Sequence, residues 1–238
     1  MGDEMNAIHS KQYRDWQEKC QTLFTPEHRF PDMDETEKLA DGFSVRFQAY
    51  HGEIDGRNLY VSENMLLGRD GKVCFTWHNL DGTGFASLIC HANGRHYLVF
   101  NIDLYGYGIW ELESGQELRY IPSQAYPEKE EDFEETFIWT SADYEPKSNL
   151  LAVCGCFWAW PYSTIVLDFS DPLAVHPSES WLDVRNLFDP DCTTYIHVEF
   201  AGWEKDTLCL DCDRQDDNPQ EKVCLTVEQL QKAMRAMH

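Results

Sequence analysis

The punctuation of this chain sets narrow limits on its fold. From Phe43 onward, short apolar runs rich in Val, Ile, Phe, Tyr, Trp and Leu are broken every several residues by Gly, Asp, Asn or Pro. That is the pattern of short strands joined by tight turns. Residues 65–68 and 72–77 flank Arg69-Asp70-Gly71, and residues 85–91 and 95–101 flank Ala92-Asn93-Gly94. In both places Asp-Gly or Asn-Gly supplies the positive φ angles that a hairpin turn demands. Helical periodicity is confined to the ends. Tyr13, Trp16 and Cys20 recur along one side of residues 3–20, and residues 34–39 are expected to add a helical turn. At the other end Thr226-Val227-Glu228-Gln229 has the form of a capping box, followed by Val227, Leu230, Met234 and Met237 on one face, which predicts a closing helix over 227–237.

The strand runs also repeat. Segments 86–90, 97–102, 108–113 and 117–121 form one set of four, and segments 140–144, 150–156, 163–169 and 181–184 match it strand for strand. Segments 196–201, 207–212 and 222–226 make a third, incomplete copy. Laying residues 108–112 over 164–168 sets the first two copies about 56 residues apart, near the ~40 to 50 residues per blade of propeller repeats. Over residues 43–226 this strand pattern resembles the β-propellers of the WD40 or kelch-like kind, without a Trp-Asp dipeptide closing a strand or a Gly-His opening a blade. A second likeness lies in Cys154-Gly155-Cys156-Phe157-Trp158-Ala159-Trp160-Pro161-Tyr162 and the following Asp168-Phe169-Ser170-Asp171-Pro172. That stretch is similar to one in a group of uncharacterised bacterial proteins. The expected architecture is therefore all-β: a propeller-like array of three to four four-stranded antiparallel blades with short terminal helices, a β-sandwich being the alternative. The expected boundaries are an acidic, partly helical extension over 1–42, the β domain over 43–226 and a terminal helix over 227–238.

Charge limits the partners. The chain has 42 acidic and 19 basic side chains and a formal net charge of −23. Such a field repels phosphate, which argues against direct binding to nucleic acid or to an anionic membrane and favours a basic protein partner. The acid gathers in the N-terminal forty residues, in residues 128–135 and in residues 211–217. The first twenty residues hold no apolar run of signal-peptide length, so a cytoplasmic location is expected. In that setting the nine cysteines read as reduced thiols.

Compact catalytic motifs are missing from the sequence, with no Gly-x-Ser-x-Gly, Gly-x-x-x-x-Gly-Lys or His-Glu-x-x-His. Cys209-Leu210-Asp211-Cys212 has CxxC spacing, but strand alternation sends its two thiols to opposite faces. Counting a calcium loop from Asp211 puts Asp216 where Gly is needed and Lys222 where Glu is needed. His91 and His96 bracket the Asn93-Gly94 turn without a third ligand placed by the sequence. No cofactor, metal ligand or catalytic residue is assigned on these grounds. The candidate binding residues are instead aromatic ones at inter-strand connections, Tyr105, Tyr107, Trp110, Trp158, Trp160 and Tyr162, rimmed by Glu130, Glu131 and Glu134. Aromatic faces edged by acid suit the Arg and Lys side chains of a basic protein. The expected function is a non-catalytic binding module, of the inhibitor or immunity type, that masks such a partner. The alternatives are a hydrolase acting on a small or glycan substrate at the propeller face, and an acidic decoy that mimics nucleic acid.

Overall fold

The computed structural model describes residues 6–80, 84–127, 129–157, 162–175, 181–215 and 219–237. Among these the chain is all-β, with four antiparallel sheets of three or four strands and two short α-helices. It divides into two compact units. Residues 1–90 and 96–136 form the first, and residues 91–95 and 137–238 form the second.

In the first unit, helix α1 (Lys11–Cys20) begins at Ser10, whose hydroxyl accepts the Tyr13 backbone N–H, and it buries Tyr13 and Cys20. Residues 34–39 do not extend the helical structure as the sequence suggested. They contain strand β1 (Glu35–Lys38), which pairs with β2 (Ser44–Ile54) from Glu35 opposite Phe47 to Lys38 opposite Ser44. Tertiary contacts outweigh local propensity here. The Asp34 carboxylate accepts the Ala49 N–H at 2.9 Å and pairs with Arg29 at 2.5 Å, and this clamps the segment alongside β2. All four β1 residues are exposed, and its charged side chains suit a strand at a sheet edge.

Strand β2 runs into β3 (Arg57–Leu67) through Asp55-Gly56, with φ of 50° and 78°, so both turn residues take the left-handed conformation of a tight hairpin. Strand β4 (Val73–Asn79) completes the sheet in the order β1-β2-β3-β4. The next sheet is a meander of β5 (Ala86–Cys90), β6 (His96–Ile102), β7 (Gly106–Glu111) and β8 (Glu117–Tyr120). Val45, Phe47, Leu66 and Trp77 from the first sheet share one core cluster with Leu98, Phe100 and Ile102 from the second and with Tyr13 and Cys20 of α1. Gly108 of β7 lies flat against the Phe100 ring, where a Cβ would collide with it. The segment just before α1 joins this unit too, since the Ala7 N–H donates to the Ile121 carbonyl at 2.7 Å.

The second unit holds β9 (Ile138–Glu145), β10 (Leu150–Cys156), β11 (Ser163–Asp168) and the two-residue β12 (Leu182–Asp183), in sheet order β12-β11-β10-β9. A three-stranded meander follows, made of β13 (Tyr195–Glu204), β14 (Thr207–Arg214) and β15 (Glu221–Thr226). Helix α2 (Val227–Ala236) closes the chain behind the expected capping box, with the Thr226 hydroxyl accepting the Gln229 N–H and the Gln229 side chain accepting the Thr226 N–H. Its Leu230 is buried in a core with Leu150, Val166, Val198, Leu208 and Cys212. The CxxC thiols do diverge: Cys212 enters that core, whereas Cys209 lies 3.2 Å from Cys224 on the neighbouring strand. No helix among the described residues is long and apolar enough to cross a membrane.

Candidate functional site

Among the described residues of the first unit, a cluster of chemically capable side chains forms around His96. The β5–β6 hairpin sets Cys90, the last residue of β5, directly opposite His96, the first residue of β6. Strand β7 runs on past Glu111 so that the Leu112 N–H donates to the His96 carbonyl at 3.0 Å, which brings Glu113 alongside. The Glu113 carboxylate lies 2.7 Å from His96 Nδ1 and also accepts the His96 backbone N–H. From the turn just before β2, Asp41 places Oδ2 3.1 Å from His96 Nε2 and 3.1 Å from Cys90 Sγ. Asp41 adopts a left-handed backbone with φ of 54°, a conformation that Asp tolerates better than most residues. The Arg69 side chain donates to its carbonyl at 2.5 Å and holds the turn there.

Each member of the cluster alters its neighbours' acidity. Glu113 first, and Asp41 with it, raise the His96 pKa above the ordinary histidine value, because both carboxylates favour the imidazolium. The Cys90 thiol bond, followed by that of His96, lowers Asp41. At Glu113 partial burial would raise the carboxyl, but the bonds from His96 outweigh it and the net shift is downward. Burial and then Asp41 push the Cys90 thiol up. Cys90 is therefore held as a thiol that donates to a carboxylate, the opposite of an activated nucleophile. Both His96 nitrogens face carboxylates, so the group is no Cys–His catalytic pair. What it offers is a sulfur, a nitrogen and a carboxylate oxygen whose donor atoms all lie within 4.8 Å of one another.

His96 and Glu113 also line an open cavity of about 510 Å³ whose other walls include Phe43, Arg69, Cys74 and Trp110. The Trp110 ring stacks on Phe75 at 4.6 Å with the planes 14° apart, so it forms a firm wall.

Of the sequence-predicted binding residues, Trp110 is the one that lines this cavity. Tyr107 is fully buried, its ring 5.4 Å from Tyr120, and burial pushes its hydroxyl pKa up. Tyr105 sits with its ring 6.1 Å from Phe133, which is 43% exposed, and Glu131 and Glu134 are exposed on the same short segment as Phe133. Tyr162, 39% exposed, belongs to the second unit, where its carbonyl accepts the Val198 N–H. Trp158, Trp160 and the side chain of Glu130 lie outside the described residues. His91 parts company with His96. It groups with the second unit, where its ring stacks 5.1 Å from Tyr144 and its Nε2 lies 3.0 Å from the Phe169 carbonyl.

Asp41, Cys90 and Glu113 were not singled out from the sequence. The turn at Asn93-Gly94 does carry half of the signal, since a hairpin there makes Cys90 and His96 cross-strand partners. Asp41 is 55 residues from His96 along the chain, and no local pattern announces it. No protein-family model matches the chain, and no curated protein matches it.

Proposed function

We propose that the protein is a non-catalytic binding module whose four sheets are the blades of a propeller-like array, and that it masks a basic protein partner in the cytoplasm in the manner of an inhibitor or immunity-type protein. The observation that carries this reading is the pairing of the −23 charge with a local acidic and aromatic surface. On that surface Glu131, Asp132, Glu134 and Glu135 are exposed around the half-exposed Phe133, whose ring meets Tyr105. Clustered acid steers a cationic partner and fixes its register, while the adjoining rings give its Arg and Lys stems an apolar surface. The nine cysteines are read as thiols of a reducing compartment. The grouping of strands into successive meanders of three or four supports the blade reading.

The test is capture from the native host on immobilised wild type and on a Glu131→Lys/Glu134→Lys variant, each at about 50 mM and about 1 M salt. A basic protein held by the wild type at low salt, released at high salt and missed by the variant is the expected result. Capture that ignores both salt and charge reversal, or no capture at all, overturns the proposal.

A further inference from the structure

We propose that Asp41, Cys90 and His96 form a binding site for a divalent transition metal, with Zn²⁺ as the ion its chemistry fits best. Thiolate, imidazole and carboxylate are the three ligand types that zinc uses, whereas the sulfur makes the set a poor one for Mg²⁺ or Ca²⁺. Zinc–ligand bonds of ~2.0 to 2.3 Å at tetrahedral angles place neighbouring donor atoms about 3.3 to 3.8 Å apart. Here Asp41 Oδ2 stands 3.1 Å from both Cys90 Sγ and His96 Nε2, and all three donors fall within 4.8 Å. An ion replacing the two shared protons would need a few tenths of an ångström of opening at the two Asp41 contacts, with the Cys90–His96 donor separation, which is within 4.8 Å, settling at ~3.6 Å.

Two further observations point the same way. Glu113 grips His96 Nδ1 at 2.7 Å, which leaves Nε2 as the nitrogen facing Asp41. Carboxylate, histidine and metal in a row is the arrangement by which proteins fix the orientation of a ligating imidazole and raise its basicity. Asp41 is also held in an uncommon left-handed conformation by Arg69, which aims its carboxylate at the other two donors. Three protein ligands leave a fourth position for water, and His96 lines the cavity walled by Trp110. The charge of −23 concentrates cations at the surface and so assists loading.

The test uses the full-length chain, stripped with a chelator, kept reduced and titrated with Co²⁺ as a visible stand-in and then with Zn²⁺ by calorimetry. One equivalent of Co²⁺ should give the intense visible bands of a tetrahedral centre and a near-ultraviolet thiolate-to-cobalt band. Cys90→Ser should abolish the thiolate band. Asp41→Asn and His96→Gln should weaken Zn²⁺ binding at least tenfold, and Glu113→Gln by ~10- to 100-fold through the lost orientation of His96. Because this chain holds other thiols, Cys74→Ser in the same cavity and Cys209→Ser/Cys224→Ser at the close cysteine pair are the controls, and they should bind as the wild type does. Circular dichroism verifies that each variant is folded. The inference is overturned if the folded wild type shows no thiolate band at one equivalent, if the band survives Cys90→Ser, or if it disappears in either control.

Discussion

Replacing Asp189 with alanine removes the centre of a buried polar cluster in the second unit. Asp189 and Arg185 are 3% and 4% exposed. Asp189 Oδ2 accepts from Arg185 Nε at 3.3 Å and Nη2 at 3.2 Å, and from the Tyr195 N–H at 3.1 Å. Oδ1 accepts the N–H groups of Thr193 and Thr194 at 3.1 and 3.0 Å. The same Arg185 Nη2 donates to the Tyr195 carbonyl, so the pair pins the start of β13 to the turn that precedes it. Alanine leaves the guanidinium buried without a counter-charge and three backbone donors without an acceptor. Breaking a buried pair in this way costs about 3 to 5 kcal/mol, a large part of the ~5 to 15 kcal/mol that holds a typical domain together. Burial alone would raise the Asp189 carboxyl, but the N–H groups of Tyr195 and Thr194, then Arg185 and the N–H of Thr193, hold it below the usual carboxylate range. A depressed folded-state pKa contributes stability above the unfolded value of ~3.9 and loses it as pH falls through the folded value. Urea denaturation at pH 7 should thus show Asp189→Ala less stable by about 3 to 5 kcal/mol. The gap between wild type and Asp189→Asn should narrow below about pH 4. Arg185→Met/Asp189→Leu should recover only part of the loss, since the backbone donors remain unanswered. A loss under about 1 kcal/mol, the range of a solvent-screened surface pair, would refute the account of a desolvated pair.

Gly155 lies against the Ile138 carbonyl at the start of β9 and the Phe137 ring just before it, so Gly155→Ala should destabilise by about 1 to 3 kcal/mol through displacement of that strand, read as a shift in the urea midpoint. Thr226→Ala removes the capping box of α2 and should cost about 1 kcal/mol in the same assay, with Thr226→Ser close to the wild type. Leu230→Ala, at the fully buried position of α2, should cost about 2 to 5 kcal/mol, and a near-neutral outcome would mean that the helix does not pack on its core in solution.

Residue chemistry alone made much of the fold legible. The strands of the first two repeated units were readable because buried β segments must be apolar and their turns need Gly, Asn or Asp, and both constraints act within a few residues. The third unit's three strands and the α2 capping box were readable for the same reason. Local pattern gives residues 34–39 a helical reading, whereas the pairing with β2 that makes them a strand depends on partners beyond that segment. The aromatic candidates show a similar limit. Tyr105 and Tyr107 are two residues apart, yet one stands beside the half-exposed Phe133 and the other is wholly enclosed, a difference set by packing partners rather than by residue type.

Strand alternation, turn stereochemistry and net charge are local or additive properties, so the all-β class and the acid excess are legible in the residues alone. The convergence of Asp41, Cys90, His96 and Glu113 arises in folding and follows from no local pattern. The physical reason is that a site is a set of distances of about 3 Å, and the turn before β2, a hairpin end and the end of β7 reach those distances only once their sheets are packed around a common core.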